Sequence, residues 1–569
     1  MIAAALTHGW PGLALAYTAV QVPMIAGLAI ARAPPHRYLL SPVIAASLTA
    51  ASAVGIALSS VCLAKWGFAS HGALQLAFGT GLSAALGYTG GLGFARSAAD
   101  VTSHQRGSLI DERPAAVARS RQKERTAGIT LAGTALPAQD ETKHFKLIGT
   151  TGTGKSTAIR EIMAGALARG DRAVIADPDA GYMQRFYRPD RGDVVLNPFD
   201  ERSAKWDLFG EIKNTYDVEQ LARSLIPDHE GQERSWRNYA RTFFTAVTRQ
   251  AHEAGIKDVD ELYRLLVVAD SGELRGLVRG TPAQPFLDEH NSRMFDSIRS
   301  VTSSAVEALQ YVGQQRAAKF SVREWVKQKS QGVLFIPYQA GQIAALRSTV
   351  SAWMRLAIFE AMDANEQRDE DSQDSNGRLW FVVDELDALG QIDGLKDALA
   401  RLRKFGATCV LGFQSIAQVS STYGQGDAHT IVENCGNTLI LRCSASEGGG
   451  TARFASQLIG EREMVHTTVS KSRRVTELWG SVTHSEHLRV EPAVLPSEVE
   501  QLPDLAGYLK YASDPRWQRV RLDARQAWQQ RRAGVAASKH TAATRQTGAS
   551  RHTAAEQSRS SLREGLAHE

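Results

Sequence analysis

The residues from Gly149 to Ser156 form the pattern that most restricts the fold of this chain. They read GTTGTGKS and fit the pattern G-x-x-x-x-G-K-[ST]. The apolar run before them is typical of a strand, and the segment 155–169 after them has helical spacing that ends at Gly170. A glycine-rich loop between a strand and a helix directs its backbone N–H groups at phosphate oxygens. The sequence therefore predicts a phosphate-binding loop in an α/β fold.

Several positions of this loop have an expected role. Lys155 would neutralise the β- and γ-phosphates of ATP, and the hydroxyl of Ser156 would bind Mg²⁺. A chance match in a Gly- and Thr-rich loop is the alternative, and the strand and helix on the correct sides argue against it. The expected nucleotide contacts are Gly149, Thr150, Thr151, Gly152, Thr153, Gly154, Lys155, Ser156 and Thr157.

A second motif supplies the carboxylates that a phosphate-binding loop needs. Four apolar residues, Trp380 to Val383, are followed by Asp384 and Glu385. Asp384 suits the Mg²⁺ role, and Glu385 suits a general base that polarises the attacking water. The alternative is a buried strand that ends in a solvated acidic turn, which the phosphate-binding loop disfavours.

Further apolar runs complete the predicted parallel sheet. They alternate with helical segments, which is typical of α/β layering with both sheet faces covered. Ligands of such folds bind at the carboxyl ends of strands, where Asp384 and Gln414 fall. Gln414 either senses the γ-phosphate or satisfies local backbone groups, and both readings stay open. The runs are 172–178, 193–198, 332–337, 407–414 and 437–443.

A basic cluster, Arg401, Arg403 and Lys404, closes a predicted helix. Cations there stabilise the helix dipole by ~0.3–1 kcal/mol each, which is a sufficient structural reason for their presence. The other reading is a trans arginine, for which Arg403 is preferred. It would reach the ATP of a neighbouring copy and stabilise transition-state charge.

The first 95 residues are dominated by uncharged runs. The runs 11–31 and 39–64 are each long enough for the ~30 Å core of a bilayer, and a third run, 73–95, is richer in Gly, Ser and Thr. Basic residues concentrate after Ala95, so the positive-inside rule places the rest of the chain in the cytoplasm. The sequence predicts a transmembrane anchor of two or three helices over 1–95 and a basic linker over 96–130.

The segment 214–315 has helical periodicity. Trp236, Tyr239, Phe243 and Val247 recur on one face of a predicted helix. Stacking on DNA bases is one reading, but stripes at this spacing usually form the core, and we expect core here.

Several stretches resemble the coupling proteins of type IV secretion and bacterial conjugation, the TraD-like and TrwB-like family. The most specific is DVVLNPFDERSAKWDLFGEI at 193–212, which resembles the segment that joins the family's motor core to an inserted all-α domain. The phosphate-binding loop, FVVDELDALG and GFQSIAQVSSTYG resemble other family motifs. The resemblance covers roughly 131–522 and, through hydropathy only, the N-terminus.

The resemblance implies a RecA-like P-loop NTPase domain built from 131–213 and 316–524, with an inserted all-α domain at 214–315. It implies a hexameric, DNA-dependent ATPase of the bacterial inner membrane, multi-pass and with the bulk of the chain cytoplasmic. Its expected partners are DNA of any sequence, a relaxase with its relaxosome, the secretion channel and membrane lipid. A third hydrophobic segment departs from the expected two-helix anchor, which leaves the N-terminal topology open.

The resemblance also assigns roles by position. Lys155, Ser156, Asp384 and Glu385 take the nucleotide and Mg²⁺ roles. Arg403 falls where the family has its trans arginine, and Gln414 falls where it has a conformational sensor. The implied catalytic residues are Lys155, Glu385, Arg403 and Gln414, and the implied metal ligands are Ser156 and Asp384.

The C-terminal segment 525–569 is rich in Ser, Ala, Gln and Thr and holds eight Lys/Arg against three Asp/Glu. It cannot bury enough apolar surface to offset its ordering entropy, so we expect a disordered tail. The tail either contacts DNA or a relaxosome partner, or keeps the protein soluble.

Two other functions compete with a DNA-pumping motor. One is a nucleotide-gated receptor or docking platform, in which another ATPase moves the cargo. The other is an FtsK-like DNA translocase, although such proteins usually carry a DNA-reading winged-helix module that the polar tail does not resemble.

Overall fold

The computed structural model describes residues 10–31, 33, 37–50, 72–96, 101–112, 128–228, 233–328, 332–364, 377–446, 449–472 and 481–523. The chain divides into two compact units, Met1–Arg106 with Glu463–Val490, and Gly107–Arg462 with Glu491–Glu569. The predicted tail, most of the predicted basic linker and part of the second predicted span lie outside the described residues.

The smaller unit contains two long helices, Trp10–Ile30 and Gly72–Arg96, which pack against each other. A Cβ atom at Gly87 would lie 2.3 Å from the Val20 carbonyl oxygen, and one at Gly91 would lie 2.5 Å from that of Met24. Only glycine allows so close an approach of the two backbones. Residues 37–50 are also helical, and a three-stranded sheet has the order Val101–Gly107, Glu461–Ser472, Ser481–Pro492.

Within the described residues, no helix reaches the length and apolarity that crossing a membrane requires. The first and third predicted spans coincide with helices, and the membrane anchor remains a prediction.

The larger unit is built on a ten-stranded sheet. Its strands, numbered along the chain, are β1 (Leu109–Asp111), β2 (Phe145–Ile148), β3 (Arg172–Pro178), β4 (Val194–Val195), β5 (Val333–Tyr338), β6 (Leu379–Val383), β7 (Ala407–Phe413), β8 (Asn437–Ile440), β9 (Ala506–Lys510) and β10 (Arg516–Arg521). The order across the sheet is β1-β10-β9-β8-β2-β7-β6-β3-β5-β4. The strands from β8 to β4 run parallel, and β9 is antiparallel to both neighbours. The predicted parallel α/β core is confirmed.

Two strands are shorter than predicted. The run 193–198 gives only Val194–Val195 as strand, because the Asn197 side chain accepts a hydrogen bond from the Phe199 amide and starts a turn at Pro198. The run 437–443 ends as strand at Ile440. Beyond it the chain instead contacts the phosphate-binding loop, where the Arg442 carbonyl oxygen accepts the Thr150 amide.

Helices surround this sheet, and one group of helices is inserted in the chain between two of its strands. They are α1 (Lys155–Arg169), α2 (Met183–Phe186), α3 (Thr215–Leu225), α4 (Arg234–Glu253), α5 (Val259–Tyr263), α6 (Ser271–Leu277), α7 (Ser292–Gln314), α8 (Val322–Lys327), α9 (Ile343–Ala364), α10 (Leu395–Leu402), α11 (Ile416–Tyr423), α12 (Gln425–Glu433), α13 (Gly450–Ile459) and α14 (Pro496–Glu500). Helices α3 to α7 lie between β4 and β5 in the chain, and we call this segment, 214–315, the helical insert. Helix α1 ends as predicted, because Gly170 adopts a left-handed φ of 93°.

The aromatic stripe on α4 is buried only in part. Phe243 and Val247 are fully buried, and the Phe243 ring lies 5.2 Å from that of Phe295 on α7. Trp236 and Tyr239 are each 37% exposed. The prediction of core is therefore confirmed for one half of the stripe and wrong for the other, because periodicity identifies a helix face but not how far a neighbouring helix covers it.

Candidate nucleotide site

The phosphate-binding loop joins β2 to α1. Gly152 and Gly154 have φ angles of 79° and 119°, which glycine adopts without strain. The Thr150 amide and hydroxyl both donate to the Arg442 carbonyl oxygen, at 2.9 and 3.2 Å. The Thr153 hydroxyl donates to the Thr150 carbonyl oxygen at 2.7 Å. The loop is therefore held in shape by its own hydrogen bonds and by the chain that follows β8.

The last strands of the fold close over this loop. A Cβ atom at Gly154 would lie 2.9 Å from side-chain atoms of both Leu505 and Leu522. The Leu505 amide donates to the Thr153 carbonyl oxygen at 2.9 Å, and the Leu522 amide donates to the Leu505 carbonyl oxygen at 2.7 Å. The loop thus depends on residues more than 350 positions further along the chain.

Lys155 begins α1, and its side chain folds back over the loop. Its Nζ atom donates to the carbonyl oxygens of Gly149 at 2.6 Å and Thr150 at 3.3 Å. Burial lowers the pKa of Lys155, and the carboxylates of Asp384 and Glu385 act in the opposite direction. The first turn of α1 also contains Ser156 and Thr157. A cation and a helix N-terminus therefore occupy the position where the sequence predicts phosphate.

One carboxylate oxygen of Asp384 accepts hydrogen bonds from two hydroxyl groups. The Ser156 hydroxyl donates to Oδ2 at 2.6 Å, and the Tyr182 hydroxyl donates to it at 2.7 Å. The other oxygen, Oδ1, is buried and accepts no hydrogen bond from the described residues. Because the Ser156 hydroxyl donates its hydrogen bond to Asp384, the lone pairs of the Ser156 oxygen remain available. Hydroxyl and carboxylate oxygens are the ligands that Mg²⁺ prefers, so these residues fit a Mg²⁺ ion.

Glu385 and Gln414 form a second connection across the site. The Gln414 amide donates to Glu385 Oε1 at 3.1 Å, and its carbonyl oxygen accepts the Thr151 hydroxyl at 2.9 Å. Burial, followed by the charges of Asp384 and Asp387, raises the pKa of Glu385. A carboxylate with a raised pKa is a better proton acceptor near neutral pH. Gln414 therefore links the phosphate-binding loop to the candidate base.

Arg403 is not part of this cluster. It begins a single 3₁₀ turn, Arg403–Phe405, between the end of α10 and the start of β7. Gln414 follows the opposite end of β7, so the two lie a seven-residue strand apart, or about 23 Å at ~3.3 Å per residue. The predicted residues of the loop, the acidic strand and Gln414 therefore lie together at the carboxyl ends of the parallel strands. Arg403 lies at the opposite edge of the sheet, where the amino ends of the strands are.

Residues that the sequence analysis did not select also line the site. The Asp177 carboxylate accepts the Tyr182 and Met183 amides, and burial raises the pKa of Asp177 to about 6. Tyr338 is 4% exposed, and its hydroxyl has no hydrogen-bond partner in the described part of the chain. Asp177 and Tyr338 both fall at carboxyl ends of predicted strands, which was an available signal. Tyr182 had none, because it lies in a turn.

The loop after Glu385 is tied to the helical insert through α9. The Ser351 hydroxyl donates to the Leu389 carbonyl oxygen at 2.5 Å. The Arg355 guanidinium, 4% exposed, contacts Asp393 at 3.2 Å and donates to the Gln220 side chain of α3 at 2.7 Å. One face of α9 thus contacts both the loop beside the candidate base and the insert.

Known proteins resemble this chain in sequence and in fold. Residues 128–523 match a family described as the type IV secretion-system coupling protein DNA-binding domain. The coupling protein TraD of Escherichia coli K12 is 29% identical over 410 residues, which cover 71% of this chain and 56% of TraD. The coupling protein VirD4 of Bartonella henselae is 32% identical over 124 residues, or 22% of this chain and 19% of VirD4. The chain therefore spans about half the length of TraD and less of VirD4.

Solved structures of the bacterial conjugative coupling protein TrwB have the same fold. The unbound form superposes with a TM-score of 0.65 at 28% identity, covering 75% of this chain and 95% of that chain. TrwB complexes with the ATP analogue ADPNP and with ADP and Mg²⁺ give TM-scores of 0.63 and 0.64 at 28% and 29% identity, with 75% of this chain and 96% of TrwB covered in each case.

The family match extends over more than half of the chain, and the matched region contains the phosphate-binding loop, the acidic strand end and Gln414. This chain belongs to the family of type IV secretion-system coupling proteins.

Proposed function

We propose that this chain is the coupling protein of a conjugative type IV secretion system, a DNA-dependent ATPase that recruits a relaxase–DNA complex and helps pump DNA to the secretion channel. The observation that carries the proposal is that Ser156 and Tyr182 both donate hydrogen bonds to one oxygen of Asp384, beside the phosphate-binding loop. The second oxygen of that carboxylate is buried and accepts no hydrogen bond from the described residues. TrwB, which has the same fold, is known in complex with ADPNP and with ADP and Mg²⁺.

The roles in hydrolysis follow from position and charge. Lys155 and the amides of the loop bind the phosphates of ATP, and Ser156 with Asp384 holds Mg²⁺. The bound Mg²⁺ neutralises charge on the phosphate oxygens. Glu385 accepts the proton of the attacking water, and its raised pKa supports that assignment. Gln414 contacts both the loop and Glu385, which supports its role as a sensor of the nucleotide.

The proposal includes a homo-hexamer in which Arg403 acts in trans. Arg403 is exposed and lies at the sheet edge opposite its own nucleotide site, so only a second copy can bring it to ATP. The ring would be anchored in the bacterial inner membrane by the uncharged runs within 1–95, with the remaining chain in the cytoplasm. The helical insert, taken as an all-α domain over 214–315, would face the incoming DNA and relaxase.

ATP hydrolysis by the full-length protein tests the proposal. We expect single-stranded DNA to stimulate hydrolysis and Lys155→Ala to abolish both basal and stimulated turnover, with a loss of about 100-fold or more, because the buried cation is removed from the phosphates. Arg188→Ala, an exposed change in the same sheet unit, is the matched control. If DNA leaves the wild-type rate unchanged, the DNA-dependent motor is excluded.

A conjugation assay separates this motor from a nucleotide-gated receptor. Glu385→Gln keeps the size of the side chain and its contact with Gln414 but removes the proton acceptor, so a motor loses DNA transfer and about 100-fold or more of its hydrolysis. A receptor that only needs bound nucleotide would transfer DNA at the wild-type frequency with the same substitution. Wild-type transfer by Glu385→Gln would therefore contradict the motor.

A further inference from the structure

Tyr182 lies in a turn whose backbone is held in an uncommon conformation. The turn follows β3, and two of its non-glycine residues, Asp179 and Ala180, have left-handed φ angles of 55° and 56°. Such residues cost about 1 kcal/mol or more each and persist only where the surroundings fix them. Here the Asp177 carboxylate fixes them, because it accepts the amides of both Tyr182 and Met183, at 3.0 and 2.6 Å.

The turn buries the Tyr182 ring against the nucleotide site. Tyr182 is 1% exposed, and the Arg160 guanidinium lies 5.5 Å from its ring centroid, within the range of a cation–π interaction. Arg160 extends from α1, the helix that follows the phosphate-binding loop. The ring is therefore fixed from two directions, by the turn after β3 and by α1.

The Tyr182 hydroxyl restricts how Asp384 can be used. A carboxylate has two oxygens, and both donors in the described site, Ser156 and Tyr182, use Oδ2. Oδ1 is buried without a donor.

We propose that Tyr182 is a positioning residue for metal binding: its buried hydroxyl holds the Asp384 carboxylate with Oδ1 presented to Mg²⁺ or to water bound by it. Groups that hydrogen-bond to a metal ligand fix its orientation, and their loss commonly costs 10- to 100-fold in metal affinity. Tyr182 would act through Asp384, to which its hydroxyl donates. The proposal rests on the proposed nucleotide site and adds a residue that the sequence pattern does not include.

Nucleotide binding with and without Mg²⁺ tests this role without relying on turnover. Full-length protein is titrated with a fluorescent, non-hydrolysable ATP analogue in EDTA and then at increasing Mg²⁺. For Tyr182→Phe we expect an unchanged Kd in EDTA, because the loop and Lys155 are intact. The Mg²⁺ concentration that gives half of the metal-dependent tightening should rise about tenfold.

Tyr511→Phe is the matched control. Tyr511 is also buried, and its hydroxyl donates to the Thr134 carbonyl oxygen at 3.0 Å, outside the proposed metal site, so its removal should leave the Mg²⁺ dependence unchanged. A wild-type Mg²⁺ dependence for Tyr182→Phe, or an equal rise for both variants, would overturn the proposal. If the nucleotide Kd of the wild-type protein is the same with and without Mg²⁺, the result would instead contradict the proposed metal site. Unchanged binding in EDTA shows that the variant is folded, and a lost EDTA affinity would assign Tyr182 to the fold rather than to the metal.

Discussion

The two edges of the central sheet differ in how their buried side-chain oxygens are satisfied. At the amino edge, where the parallel strands begin, Glu141 forms ion pairs with Arg169 and Arg378. Asp171 at the same edge accepts hydrogen bonds from the Arg378 amide and the Trp380 indole. At the carboxyl edge, buried oxygens of Asp384, Asp387 and Tyr338 have no described partner.

This difference distinguishes a structural end of the strands from an end that can bind a ligand. Unsatisfied buried oxygens cost stability, so a fold retains them where a ligand completes them. Satisfied ion pairs need no ligand. The same strands thus carry a closed, structural end and an open, reactive end, and Arg403 is an exposed cation on the structural end. The predictions below test whether that assignment of the two edges is correct.

The largest effect is expected from Arg403→Ala. If a neighbour's Arg403 completes the site, its loss should lower hydrolysis by about 10³-fold or more, as for other trans arginines, while nucleotide binding persists. Arg401→Ala removes an exposed cation two residues earlier, in the last turn of α10, and should have little effect.

Mixing two inactive variants sharpens this test. Lys155→Ala subunits keep Arg403, and Arg403→Ala subunits keep an intact nucleotide site, so mixed rings should regain part of the hydrolysis rate. Near-wild-type turnover by Arg403→Ala alone would show that the amino edge has no catalytic part.

A smaller effect is expected from Gln414→Ala at the carboxyl edge. The hydrogen bond that Gln414 donates to Glu385 favours the charged carboxylate and lowers its pKa, so the substitution should raise that pKa further. The acid limb of the kcat–pH profile should therefore move to higher pH, with a rate loss of about tenfold near neutrality. Gln418→Ala, an exposed change on α11, should leave the profile in place. An unshifted acid limb would mean that Gln414 does not act through Glu385.

The smallest effect on the nucleotide site is expected from His144→Asn at the amino edge. The His144 ring accepts the Cys409 amide at 3.0 Å and contacts the Leu399 carbonyl oxygen at 2.9 Å, and Asn tolerates its φ of 47°. Burial lowers the pKa of His144 from 6.5 to about 4. Between these values the unfolded chain binds more protons, so His144 makes the free energy of unfolding rise with pH, by about 3 kcal/mol in full.

The measurement for His144→Asn is denaturant unfolding between pH 4 and 7. The variant should lose that part of the pH dependence and keep its nucleotide Kd at pH 7. His290→Asn, at an exposed histidine, should retain the wild-type slope. A weakened nucleotide Kd for His144→Asn would remove the distinction between the edges.

Sequence reasoning reached the carboxyl edge because its signals are local. The loop with Lys155 and the run ending in Asp384 are contiguous motifs, and their meeting follows from the rule that ligands bind where parallel strands end. Tyr182 could not be predicted in this way. It meets Asp384 across 202 positions, through a turn whose two left-handed residues, Asp179 and Ala180, are not glycines.

The helical stripe shows a second limit. Equal spacing placed Trp236 and Phe243 on one face of α4, yet only Phe243 lies under α7. Coverage depends on where another helix runs, which periodicity does not encode. Arg403 shows a third limit, because its neighbours within the chain cannot reveal whether a second copy approaches it.

The closing of Leu505 and Leu522 over Gly154 has a consequence for synthesis of the protein. A ribosome that has just made Ser156 must add 366 more residues before Leu522 exists. At translation rates of ~5–20 residues per second, that interval is about 20 to 70 s. During it the phosphate-binding loop still lacks the two leucines that cover it. A nascent chain therefore cannot complete the covered form of this loop until nearly all of the larger unit has been made.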